Sequence, residues 1–88
     1  MPGPDIEDVS DPRVQDLGKW AVAEHNKQTG SSLQFVGVAA GKKQVVAGVN
    51  YLLTIETKGS RAPLYEADLF VPLSGGKRQL NLFLPLIK

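Results

Sequence analysis

Groups able to do acid–base or nucleophilic chemistry are few and scattered along this chain. His25 is the sole imidazole, and there is no cysteine for it to activate. It falls in a stretch of helical periodicity beside an apolar arc, where a partly buried, hydrogen-bonded structural histidine is the simpler reading. Glu66 and Asp68 lie two apart in an alternating segment, so they share one strand face and read as solvated exterior. No cluster of His, Asp and Glu has ligand spacing, so no metal site is expected. Ser74-Gly75-Gly76-Lys77 lacks the spacing of a phosphate loop and precedes a strand, which makes it a turn. The chemistry-bearing residues therefore point away from an enzyme and call for no cofactor.

Binding is better represented. Gln44-Val45-Val46-Ala47-Gly48 sits between two strand-like segments, yet three of its five residues are small and apolar. Hairpin tips normally carry Asn, Asp, Gly, Ser and Pro, which suit turn geometry and water. An apolar tip closed by a glycine leaves aliphatic surface for a partner. The competing reading is that Val45 and Val46 continue a strand into a core, with Gly48 as a bulge.

The elements that must position this tip follow from pattern. Eighty-eight residues make one small domain. Without cysteine no disulfide supplements the core, which must carry the fold alone. Residues 1–10 are rich in Pro, Gly and acid and read as a loose N-terminal arm anchored by Ile6 and Val9; residues 11–88 are the folded domain. Asp11-Pro12 is a helix start, with Asp as N-cap and Pro at the first helical position. Val14, Leu17 and Ala21 then recur at helical spacing, and Gly30 supplies the left-handed terminator, so a helix is expected over 12–28.

Everything beyond alternates. Leu33 and Phe35 begin a strand whose apolar parity switches at Val36, which predicts a bulge near Val36-Gly37. Val49, Tyr51, Leu53 and Ile55 form a second apolar row, and Tyr65, Ala67, Leu69 and Val71 a third. Leu80, Leu82, Leu84 and Leu86 are expected to form the fourth. Lys58-Gly59-Ser60-Arg61 and Ser74-Gly75-Gly76-Lys77 are the turns between them. Short connections require antiparallel pairing, and the helix is the one element long enough to cover the apolar face. The expected class is α+β: a curved antiparallel β-sheet of four to five strands wrapped around one α-helix. That arrangement brings the arm, the tip at 44–48 and a second tip around 72–78 to one end as a wedge.

Ten basic and nine acidic residues leave a formal charge of +1, which is no footprint for nucleic acid or a polybasic membrane anchor. No apolar run approaches the roughly 20 residues of a membrane span. Met1-Pro2-Gly3-Pro4-Asp5 has no basic or hydrophobic region of a signal peptide, so none is expected in this stretch. A secreted place after signal removal and a cytoplasmic one are both compatible.

Leu17-Gly18-Lys19-Trp20-Ala21-Val22-Ala23-Glu24-His25-Asn26-Lys27 resembles the helix signature of plant cystatins, L-[AG]-x-[FWY]-A-V-x-E-H-N-K, and Gln44-Val45-Val46-Ala47-Gly48 matches their Q-x-V-x-G motif. Leu64-Tyr65-Glu66-Ala67 resembles the strand that follows in that family, and the similarity runs from about Ile6 to Pro85. The resemblance implies reversible, non-covalent inhibition of papain-like cysteine proteases. In that family the arm and two hairpin loops enter the active-site cleft, the first loop covering the protease's catalytic cysteine and histidine without offering a cleavable carbonyl. The residues so implied are Gly3 and Pro4 of the arm, Gln44, Val45, Val46, Ala47 and Gly48 of the first loop, and Pro72, Leu73 and Ser74 of the second.

Two departures stand out. The family's arm carries a Gly-Gly pair, where this chain has Gly3 flanked by Pro2 and Pro4. Its second loop carries Pro-Trp, where ungapped alignment from Leu64 puts Leu73 and Ser74; the one tryptophan, Trp20, is in the helix and reads as structural. A diverged or engineered scaffold, presenting its loops to another partner with little protease inhibition, is the alternative. The family resemblance also implies a monomer when active and a possible domain-swapped dimer, in which the 44–48 loop straightens. The leucine-rich end from Leu80 to Ile87 adds a self-association hazard if its strand frays.

Overall fold

Asp11 and Gly30 bracket the helix, as their side-chain chemistry dictates. The computed structural model describes residues 3–86; Met1, Pro2, Ile87 and Lys88 lie outside the described residues. Helix α1 spans Pro12–Thr29. The Asp11 carboxylate accepts from the Arg13 backbone N–H at 2.9 Å and from the Arg13 guanidinium. Those bonds, side chain first, hold its carboxyl below the ordinary value. At the other end Gly30 turns left-handed (φ 71°) and donates its N–H to Asn26 O. Val14, Gly18, Ala21 and Val22 are the buried face.

Four strands follow: β1 (Gln34–Val45), β2 (Gly48–Lys58), β3 (Leu64–Pro72) and β4 (Gln79–Pro85). They form one antiparallel sheet in the order β1-β2-β3-β4. The inward rows of β2 and β3 fall where alternation puts them. Leu53, Ile55, Ala67 and Leu69 are wholly buried with Val38 and Tyr65, and α1 packs on this face. Fully burying an aliphatic side chain stabilises by about 1.5–3 kcal/mol, so this row dominates the core.

In β1 the expected bulge is present at Val36, between Phe35 and Gly37, and a second register shift follows between Val38 and Ala40. A bulge frees backbone polar groups and bends the strand. Gln15 of α1 satisfies them: its amide accepts from the Val38 N–H at 3.0 Å and donates to Val38 O and Val9 O. Asn26 clamps the helix-to-sheet turn in the same way, exchanging two bonds with the Leu33 backbone.

Strand β4 departs from the expected leucine row. A register shift beside Asp68 and Leu69 places Asn81 as an extra residue, with Leu82 opposite Asp68 and Leu80 opposite Leu69. Because side-chain parity has period two, one extra residue reverses every later side chain. Leu80 and Phe83 therefore pack on the core, whereas Leu82, Leu84 and Leu86 are exposed. Phe83 stacks between His25, at 4.2 Å between ring centroids, and Tyr65, at 5.0 Å.

Candidate functional site

The arm is more ordered than its composition suggests. Pro4 O accepts from the Lys43 N–H at 3.1 Å, and the Ile6 N–H donates to Gly41 O at 2.9 Å. Asp5 pairs with Lys42 as an isolated antiparallel bridge, and their side chains approach to 3.9 Å. Residues 4–6 thus run along the free edge of β1 as an isolated bridge with a backbone bond on each side; Pro4, which lacks an N–H, contributes only its carbonyl. Gly3 lies directly against the Lys43 carbonyl, where a Cβ has no room.

The first tip connects β1 to β2. Val45 pairs with Val49, leaving Val46, Ala47 and Gly48 as the turn, closed by a bond from the Val46 N–H to Gly48 O at 2.9 Å. Val45 and Val46 remain 67% and 61% exposed, so the strand-into-core reading of this segment is wrong. Ala47 adopts a left-handed conformation (φ 55°), unusual for a residue with a Cβ. Gly48 is buried at φ 151°, with its α-carbon against the Phe70 ring. A Cβ there would meet Phe70 Cζ at 2.5 Å and Val71 O at 2.7 Å, so only glycine fits.

The second tip is its neighbour by register, since Gly48 pairs with Pro72 across β2 and β3. Pro72-Leu73-Ser74-Gly75 forms a turn, Gly75 donating to Pro72 O. Leu73 is 72% exposed at its apex and Ser74 is exposed beside it. Beyond the turn, the Arg78 guanidinium sits 5.4 Å above the Trp20 ring of α1.

The structure therefore gathers all ten candidate residues at one end of the sheet: Gly3 and Pro4 against Lys43, Gln44 to Gly48 at the tip, and Pro72 to Ser74 alongside. The supporting contacts, Phe70 under Gly48 and Trp20 under Arg78, have no sequence signal, because each joins residues more than 20 positions apart. His25 is remote from these tips, half-buried against the Phe83 ring near Tyr65, and that partial burial pushes its imidazole below the ordinary value. Asp68 accepts from Asn50 at 2.8 Å on the outer face. Among the described residues no group of three or more acidic or histidine side chains could hold a metal ion.

The fold is thus α+β, a helix-backed antiparallel sheet with an exposed aliphatic tip between two flanking segments. Residues 6–85 match a family model described as aspartic acid proteinase inhibitor. The chain is 48% identical over 66 residues to the putative cysteine proteinase inhibitor 7 of Oryza sativa subsp. japonica, covering 72% of this chain and 56% of that protein. It is 39% identical over 83 residues to cysteine proteinase inhibitor 8 of the same plant, covering 91% and 67%. Cystatin-1 of Zea mays is 40% identical over 78 residues, covering 88% and 58%. The chain belongs to the plant cystatin family, whose members are named as inhibitors rather than enzymes. It spans little more than half the length of the first of these relatives.

Proposed function

We propose that this chain is a reversible, non-covalent inhibitor of papain-like cysteine proteases, occluding the active-site cleft with its arm and two tips. The observation that carries this reading is the exposed pair Val45 and Val46, held between arm and second tip by backbone bonds on both sides. At these exposures, burying Val45, Val46 and Leu73 in a cleft contributes on the order of 1–2 kcal/mol each. Because the tip is already formed, little of that gain is spent on ordering. The two residues flanking Gln44 to Gly48, Lys43 and Val49, are both tied into strands, so the tip meets a partner as a rigid edge.

The family description favours a second reading, inhibition of an aspartic protease, and the second tip's lack of an aromatic anchor is compatible with it. Titrations of papain and of a pepsin-like aspartic protease, run in parallel with wild type, Gly48→Glu and Ser74→Trp, separate the readings. Stoichiometric inhibition of papain that Gly48→Glu abolishes, and that Ser74→Trp tightens about ten- to a hundredfold, supports the first. Inhibition of the aspartic protease alone supports the second. Inhibition of neither by a monomer leaves a binding scaffold whose loops serve another partner. The active form is a monomer, and domain swapping through residues 44–48 hides the tip.

A further inference from the structure

We propose that the second tip engages its protease through an exposed cationic pair, Lys77 and a held Arg78, and that the partner presents carboxylates on the cleft rim facing it. This rests on the protease-inhibitor reading and specifies the partner for the same site.

The near-neutral total conceals a segregation of charge. All nine acidic residues lie at or before Asp68, and five of them, Asp5, Glu7, Asp8, Asp11 and Asp16, fall in the arm and first turns of α1. From Leu69 onward the chain has no carboxylate side chain, while Lys77 and Arg78 follow directly on the second tip, both exposed. Among the described residues the ion pairs are Arg13 with Asp11 and Lys42 with Asp5. Neither Lys77 nor Arg78 takes part in an ion pair among the described residues, and Lys43 beside the first tip is likewise without one.

Arg78 is also held in place. Its guanidinium lies over the face of Trp20, itself packed against the core on α1. A cation–π contact fixes the direction of the side chain while leaving its edge N–H donors free for a carboxylate. Arginine held on an aromatic platform loses less rotamer freedom on docking than a free lysine, and arginine is a common interface anchor. Leu73 at the apex, with a charged pair behind it, reproduces the apolar centre and charged rim of a protein interface. Charges at such a rim act chiefly on the association rate, and salt screens them over about 10 Å at 0.1 M.

The test is stopped-flow association, between about 20 and 500 mM NaCl, with two papain-like proteases. The two are matched in catalytic residues, one acidic and one basic on the rim facing the second tip. With the acidic-rim enzyme, the wild-type rate is expected to fall about three- to tenfold over that range. Lys77→Glu should be slower by a similar factor at low salt and converge with wild type at high salt. Arg78→Ala should dissociate faster at every salt concentration, and Arg78→Lys should keep the rate but not the slow dissociation. Lys77 has no side-chain bond to lose, so its variant should keep the wild-type melting temperature and remain informative if Arg78 variants loosen the turn. Salt-independent inhibition with Lys77→Glu at the wild-type rate overturns this inference alone. Absence of inhibition of either protease overturns it together with the reading it rests on.

Discussion

Replacing Gly48 by alanine separates backbone strain and steric overlap from loss of apolar contact, because the substitution adds one methyl and removes nothing. At φ 151° a residue with a Cβ is strained by about 1–3 kcal/mol. The added carbon would lie 2.5 Å from Phe70 Cζ and 2.7 Å from Val71 O, and such overpacking costs about 1–3 kcal/mol. Alanine stiffens the unfolded chain and returns about 0.4–1 kcal/mol, leaving a net destabilisation of about 1–5.5 kcal/mol, centred near 3. For a domain of this size the central value lowers Tm by roughly 12–24 °C. Urea and thermal unfolding measure it, with Gly75→Ala as control. Gly75 is also left-handed, at φ 79°, but has nothing within 4 Å of its added carbon. Its variant should lose no more than about 1 kcal/mol. Adding Phe70→Leu to the Gly48→Ala background should recover at least about 1 kcal/mol as coupling between the sites. Equal losses at Gly48 and Gly75, or no coupling to Phe70, would refute the claim that this close contact sets the tip.

Other perturbations have defined signs. Thr57 is buried with its hydroxyl unpartnered among the described residues, so Thr57→Val should raise stability by about 0.5–1.5 kcal/mol in urea unfolding. Burial against Phe83 and Tyr65 lowers the His25 pKa below 6.5, so the unfolded chain binds that proton more readily. Its share of stability is whole above pH 6.5 and is lost as pH falls through the lower folded value; His25→Phe should flatten the fall in urea midpoint between pH 7.5 and 5 relative to wild type. Ala47 holds a left-handed conformation at a cost of about 1–2 kcal/mol, which straightening the tip releases. In the domain swapping proposed above, Ala47→Gly should therefore reduce any dimer fraction formed on mild heating, read by size-exclusion chromatography; an unchanged fraction would count against strain as the driver, and no dimer from either protein would refute the swap itself.

Legibility tracked the range of the interaction. Asp11 and Gly30 act on backbone within a turn of themselves, so the helix ends could be read residue by residue. The inward rows of β2 and β3 were equally plain, because polar Asn50, Thr54, Glu66 and Asp68 mark the opposite face. In β4 leucines fall on one parity, and nothing local reveals that Asn81 is an extra residue. Only pairing with β3 shows it, and the outcome is Phe83 rather than Leu82 against the helix. The second shift in β1 was hidden in the same way, the Val38 backbone groups beside it being met by Gln15 on another element.

The candidate site divides along the same line. The sequence by itself determined where an aliphatic tip closed by glycine would fall, since it is written in five consecutive letters, and so which residues to propose as the partner surface. Tertiary structure alone decided that the tip has company: the arm binds the edge of β1, and the sheet register sets Pro72 beside Gly48. It likewise decided that Phe70, half-buried outside the core cluster, and Trp20, packed against that cluster, lie against Gly48 and Arg78. Those contacts depend on how strands pair and where a helix lies across them, and such relations are properties of the packed chain rather than of any segment of it.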